Sequence, residues 1–362
     1  MTDVDPRVDA PAARKPFKLD TWLNVALVVL LLAVLGGIGY FAYSVYLDKQ
    51  QQYSSSAAGR IAVALADQVR KSPNDAVLRV RLGEALGASG RYPEAIDQLN
   101  AALKINPKHS GALFDLGTIA MMTKNTSQAT VYYLKVIDVT EAAEYSKMDP
   151  LREQAFYNLG LLALSDHKYP QAAGYFKASL QIRKDASDTY YQLAQALKGL
   201  GDPEGAIQNL EIAIQFDPSF ADAHYLLGQL YKAKNDDVNA SYEFFKAASL
   251  APTAAEPKAA LATFGPASGW ITKAQAAQAA GNLDLALNDV LIARNLDPKN
   301  AMAAKLHGDI LVARGSLKDA LDVYREALVL DPKNAAIQAK IAEISPAVKA
   351  AAVKATKASK KK

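Results

Sequence analysis

Between Ser187 and Ala254 apolar residues recur at helical spacing, and the whole pattern returns after 34 residues. With each block numbered from 1, the first carries Leu193 at position 7, Leu197 at 11, Ala206 at 20, Leu210 at 24, Ala213 at 27 and Pro218 at 32. The second answers with Leu227, Tyr231, Ala240, Phe244, Ala247 and Pro252. Apolar positions three to four residues apart predict amphipathic helices, and the punctuation predicts two per block. Position 15, Gly201 then Asn235, is a residue type that tolerates the left-handed end of a helix. Asp217-Pro218 and Ala251-Pro252 stop the second helix, because proline lacks the amide hydrogen and disfavours a helical residue before it. A block of this size cannot bury its own apolar face, so consecutive blocks must stack. The fold class expected is all-α, a solenoid of helix pairs.

The same register runs through most of the chain. Repeats are expected at 76–109, 110–143, 153–186, 187–220, 221–254, 267–300 and 301–334. Nine extra residues, Glu144 to Arg152, and twelve, Ala255 to Pro266, interrupt the array. Both read either as extended helices or surface loops, or, for Pro257 with Gly265-Pro266, as a joint that re-angles the last two repeats. Ile61, Leu65 and Val69 form one apolar stripe in segment 48–75, which starts linker-like at Gln51-Gln52-Tyr53-Ser54-Ser55-Ser56 and then predicts a helix capping the first repeat. Ile337, Ile341 and Ile344 predict a capping helix at 335–345, and 346–362 reads as a solvated basic tail.

The N-terminal pattern is different. Residues 1–20 are polar with balanced charge and three prolines, a disordered tail by composition. Thr21 to Leu47 holds 27 residues without a charge, more than the roughly 20 a membrane span requires. Trp22 stands at one end and Tyr40, Tyr43 and Tyr46 at the other, where amphipathic rings favour the interface. A buried helix would show a polar face, and a signal peptide has a shorter apolar region with a small-residue cleavage site, so the expectation is an uncleaved single-pass anchor. Four basic residues precede it, and Lys49 and Arg60 follow, which places the N-terminus in the cytoplasm and the repeats outside. Ala33 and Gly37 form a small-xxx-small pair that either supports a homodimer through this helix or is a packing convenience without a partner.

The bulky residues at positions 7, 11 and 24, small ones at 8, 20 and 27 and proline at 32 resemble the tetratricopeptide repeat family, with Ala194 departing from the glycine that Gly228 supplies at position 8. The resemblance covers about 270 of 362 residues. It implies a right-handed superhelix of about seven helix pairs whose inner groove, lined by positions 2, 5, 9 and 12 of each first helix, holds peptide ligands. Carried over, position 5 reads Val80, Phe114, Tyr157, Tyr191, Tyr225, Ile271 and Lys305, and Gln275 falls at position 9 of the sixth repeat. The middle repeats duplicate the whole face: Asp188, Tyr191, Gln195 and Lys198, then Asp222, Tyr225, Gln229 and Lys232. At 100° per residue these offsets share one side of the helix. Rings beside side-chain amides suit an extended peptide, since the rings cover apolar side chains and glutamine both donates and accepts. The alternative is that the tyrosines pack only against neighbouring helices. The carboxylate clamp of some family members wants Lys at position 5 and Asn at position 9 of one repeat, and no repeat here has both.

Composition narrows the function. Apolar residues make up 50% of the chain, enough for a core, and of a net charge of +4 the final segment supplies Lys349, Lys354, Lys357, Lys360, Lys361 and Lys362 with no acid. The nearly neutral body argues against a dedicated nucleic-acid surface, while the tail either touches anionic lipid or an envelope polymer or only solubilises. Without cysteine there is no disulfide, thiolate or cysteine-held metal. His109, His167, His224 and His307 fall at repeat positions 34, 15, 4 and 7, so no two share ligand spacing on one helix. No catalytic constellation, metal site or cofactor is expected. The reading is a bacterial membrane-anchored scaffold whose groove binds a segment of envelope proteins during complex assembly. The alternatives are a cytoplasm-facing adaptor and a binder acting through the lysine tail.

Overall fold

The computed structural model describes residues 19–141 and 148–359, with side chains left out at both ends of α1 and beyond residue 351. Residues 1–18 of the expected N-terminal tail and 144–147 of the first insertion lie outside the described residues; the rest of that insertion leads into α7, with Asp149 as its cap. All regular structure among the described residues is helical, and the chain falls into two compact units, Met1–Asn125 and Thr126–Lys362.

The first unit holds α1 (Leu19–Ser55), α2 (Ala57–Lys71), α3 (Ala76–Ala88), α4 (Tyr92–Ile105) and α5 (Ser110–Met122). Helix α1 leaves its apolar side chains uncovered, and its stretch Trp22–Val45 is long and apolar enough to cross a membrane. The segment that reads as a linker after residue 48 continues α1 to Ser55, because Asp, Lys and Gln are tolerated helix formers and no Gly or Pro intervenes. Ser56 then caps α2, its hydroxyl accepting from the Gly59 amide at 2.9 Å. Helix α2 lays Gly59, Ala62 and Val69 on the α3–α4 pair, and α5 packs on α4 and α3.

The second unit contains α6 (Thr126–Glu141), α7 (Pro150–Ser165), α8 (Tyr169–Ile182), α9 (Ser187–Gly199), α10 (Pro203–Phe216), α11 (Ala221–Ala233), α12 (Asp237–Leu250), α13 (Ala255–Ala262), α14 (Ala267–Ala279), α15 (Leu283–Leu296), α16 (Ala301–Ala313), α17 (Leu317–Leu330) and α18 (Ala335–Ser359). The helices pair antiparallel as α7–α8, α9–α10, α11–α12, α14–α15 and α16–α17, and the second helix of a pair packs on the first of the next, as α8 does on α9 and α10 on α11. Alanines at positions 20 and 27, among them Ala206, Ala213, Ala240 and Ala247, have no accessible surface, so the helix backbones approach closely there. Position 15 is left-handed in every repeat: Gly90, Lys124, His167, Gly201, Asn235, Gly281 and Gly315 have φ between 57° and 81°. The same turn closes with two reversed bonds, as where Asp202 N donates to Leu197 O and Gly201 N to Lys198 O.

Two stretches depart from the regular stacking. The second insertion is neither a surface loop nor an extension of α12: it forms the separate helix α13, buries Pro257, and sends Phe264 into a cluster with Phe244 and Ile292. Helix α12 consequently packs on α13 and on α15, with Asn295 Nδ2 donating to Ser241 Oγ at 3.0 Å. At the C-terminus the helix expected to stop before Pro346 runs through it to Ser359. The apolar stripe of Ile337, Ile341 and Ile344 continues to Val348 against the α17 core, and the exposed Pro346 frees its carbonyl partner to water. Alanine and lysine on either side favour the helix further.

Candidate peptide-binding face

Helices α7, α9 and α11 are first helices of successive pairs, and their stacking sets the position-5 rings in a row. Tyr157, Tyr191 and Tyr225 are each half-buried. Each leans on an aromatic neighbour: Tyr157 edge-on to Phe176 at 5.9 Å between centroids, Tyr191 tilted on Phe220 at 5.0 Å, and Tyr225 on Phe244 at 5.7 Å. The contacts lock the rings at low entropic cost and leave their remaining surface accessible.

Carboxylates of the following repeat stand beside two of these rings. Burial pushes the Tyr157 hydroxyl up, as does Asp188; burial and then Asp222 do the same to Tyr191. Both phenols therefore remain neutral donors. The amides form a second row: Gln195 Nε2 donates to Gln192 Oε1 at 2.9 Å, and Gln229 Oε1 accepts from Lys198 Nζ at 3.3 Å across the α9–α11 contact. Asp188 keeps a loose pair with Arg183 at 3.4 Å, while Asp222 is exposed. Lys232 is drawn to the edge, 2.8 Å from Asp237 Oδ1 and over the Phe264 ring at 4.2 Å, so the turn after α13 closes this end of the face.

Gln275 is exposed on α14, and Phe114 is half-buried on α5 in the first unit. Val80 and Ile271, at the same repeat position as the tyrosines, are buried at 4% and 6% exposure and offer nothing to a ligand. Trp22, Tyr40 and Tyr43 are exposed on α1. The Tyr46 side chain and those of Lys354, Lys357, Lys360, Lys361 and Lys362 lie outside the described residues; Lys349 is exposed on α18.

Three of the four histidines have structural partners. His109 caps α5 by accepting from Ala112 N at 3.3 Å; His224 sits between Glu243 and the Pro218 carbonyl; His307 accepts from Arg294 Nη1 at 2.8 Å and is pushed down to about 4, by burial and then by that guanidinium. The fourth, His167, was no more than a turn residue in the sequence. It meets Tyr169 Oη at 3.1 Å, and both line a cleft with Gln195 and Lys198. The signal available was the comparison of Lys198 with Lys232, five residues before Pro203 and Asp237 respectively.

Stacked helix pairs of this kind form a repeat scaffold suited to protein–protein interaction. The repeats are tetratricopeptide repeats: residues 200–235 and 308–344 match the family described as TPR repeat, and residues 80–138 the family described as Tetratricopeptide repeat. Among curated proteins, anaphase-promoting complex subunit 3 of Schizosaccharomyces pombe is 21% identical over 150 residues, 41% of this chain and 21% of that protein. Protein O-mannosyl-transferase TMTC3 of Homo sapiens is 24% identical over 147 residues, 41% of this chain and 15% of that protein. The chain thus spans about a fifth or less of these relatives. Among solved structures, YrrB, a TPR protein with an unusual peptide-binding site, aligns at 18% identity and TM-score 0.47 over 55% of this chain and 98% of that one. MamA aligns at 22% and 0.43 over 47% and 95%.

Proposed function

We propose that the protein is a membrane-anchored scaffold whose α7–α9–α11 face binds an extended segment or helix of a partner protein. The observation that carries this reading is the row of half-buried tyrosines, fixed on one side and open on the other, alternating with carboxylates and amides. Such a surface covers apolar side chains while hydrogen-bonding a backbone, and it acts without chemistry. Helix α1 serves as a single-pass anchor in a bacterial cytoplasmic membrane, with the N-terminus inside and the repeats outside. Anchoring raises the effective concentration of membrane clients and suits assembly or stabilisation of an envelope complex.

Crosslinking and affinity purification of the full chain from native membranes tests the face. The Tyr191→Ala/Tyr225→Ala variant, folded by circular dichroism, is expected to lose a defined protein that wild type retains; retention of the same partners by both forms contradicts the proposal. A cytoplasm-only reporter fused after Lys362 is expected to be silent, and its activity would instead support a cytoplasm-facing adaptor.

A further inference from the structure

The duplicated halves of the face satisfy their lysines differently. Lys232 has a carboxylate of its own chain, Asp237, at 2.8 Å. Thirty-four residues earlier Pro203 takes the place of Asp237, and Lys198 reaches the neutral Gln229 Oε1 at 3.3 Å. Lys198 is exposed, and among the described residues no carboxylate pairs with it. Asp166, beside His167, is held by Lys168 at 2.8 Å.

Lys198 walls a cleft of about 390 Å³ with Leu164, His167, Tyr169, Gln195 and Leu226. Two leucines make part of the wall apolar, which lowers the local dielectric and strengthens a charge-assisted bond. His167 Nδ1 and Tyr169 Oη bond each other, so one donor of that pair remains free and, with the second amide hydrogen of Gln195, faces an ammonium without an anion. That chemistry complements a carboxylate, and the volume accommodates an acidic side chain.

We propose that this cleft receives an aspartate or glutamate of the partner segment and so fixes the register of that segment on the face. The proposal rests on the peptide-binding reading above. Asp188 and Asp222 stand ten positions before Lys198 and Lys232, about 15 Å along their helices. The fitting segment therefore carries its acid toward the C-terminal ends of α7 and α9, away from those aspartates.

The full-length protein in lipid nanodiscs is screened against a random dodecapeptide phage library. A selected peptide is then titrated alongside its Asp→Asn or Glu→Gln isosteres. One carboxylate-to-amide change is expected to weaken binding about tenfold or more. Lys198→Met should erase that discrimination and Lys232→Met preserve it. Pro203→Asp, which supplies the absent carboxylate in cis at the first turn of α10, should lower affinity for the acidic peptide. Peptides that require Tyr191 but bind equally as acid and amide, or keep their preference in Lys198→Met, overturn the cleft and leave the face standing. A library yielding no Tyr191-dependent peptide overturns both.

Discussion

Asp115 on α5 shows how one carboxylate can set the pH response of a unit. Its Oδ2 is buried without a hydrogen-bond partner, and burial, reinforced by Glu84, pushes the acid up to about 7. The unfolded chain releases this proton near the ordinary value of about 4. The contribution of this group to stability is therefore greatest below about pH 4, declines as pH rises toward 7 and falls no further above that. Asp115→Asn should stabilise the first unit by about 1–3 kcal/mol at pH 7.5 and much less at pH 4. Denaturant unfolding of both forms at the two pH values checks this, and an equal gain at both would refute it. Close approach is equally local at position 8. A Cβ on Gly160 would meet the Phe176 ring at 2.5 Å, and one on Gly308 the Tyr324 ring at the same distance. Gly160→Ala is expected to cost about 1–3 kcal/mol in thermal unfolding. Such pairs were legible as small against bulky positions. The left-handed turns were legible where glycine or asparagine stands, but Lys124 and His167 adopt the same φ. There the two reversed backbone bonds of the turn override a residue preference of about 1–2 kcal/mol.

At the scale of elements, what the sequence showed least well was the interruption after residue 254. Periodicity says only that the repeat is out of phase. It does not say that Phe264 finds a place beside Phe244 and Ile292, or that Trp270 Nε1 donates to the Phe264 carbonyl at 2.8 Å. Long-range packing decides this, and no local pattern encodes it. Phe264→Ala should destabilise the second unit by about 3–5 kcal/mol, measured by denaturant unfolding. It would also release Lys232 from the ring beneath it. The passage of α18 through Pro346 is hidden from the local pattern for a related reason. A proline normally ends a helix, but Val348 beyond it still has a core to join, and tertiary burial outweighs the local stop signal.

On the scale of the molecule, the 34-residue period is enough to define the class from the sequence, because each helix pair contacts only its neighbours and repeats the same solution. The face on α7, α9 and α11 was half legible. Its residue types were plain at the repeat positions, whereas which rings remained accessible depended on neighbours: Ile271 shares a position with Tyr225 and is buried. A different property follows from the length of α1. Its 37 residues rise about 55 Å at 1.5 Å each; were the candidate span Trp22–Val45 to sit in a bilayer as proposed, the ten residues up to Ser55 would form a stalk of about 15 Å beyond it. That is nearly two screening lengths at physiological ionic strength, about 8 Å each. On the proposed anchoring, charges beyond the end of such a stalk would be largely screened from the headgroups, and a client would have to reach outward by about that length to be held.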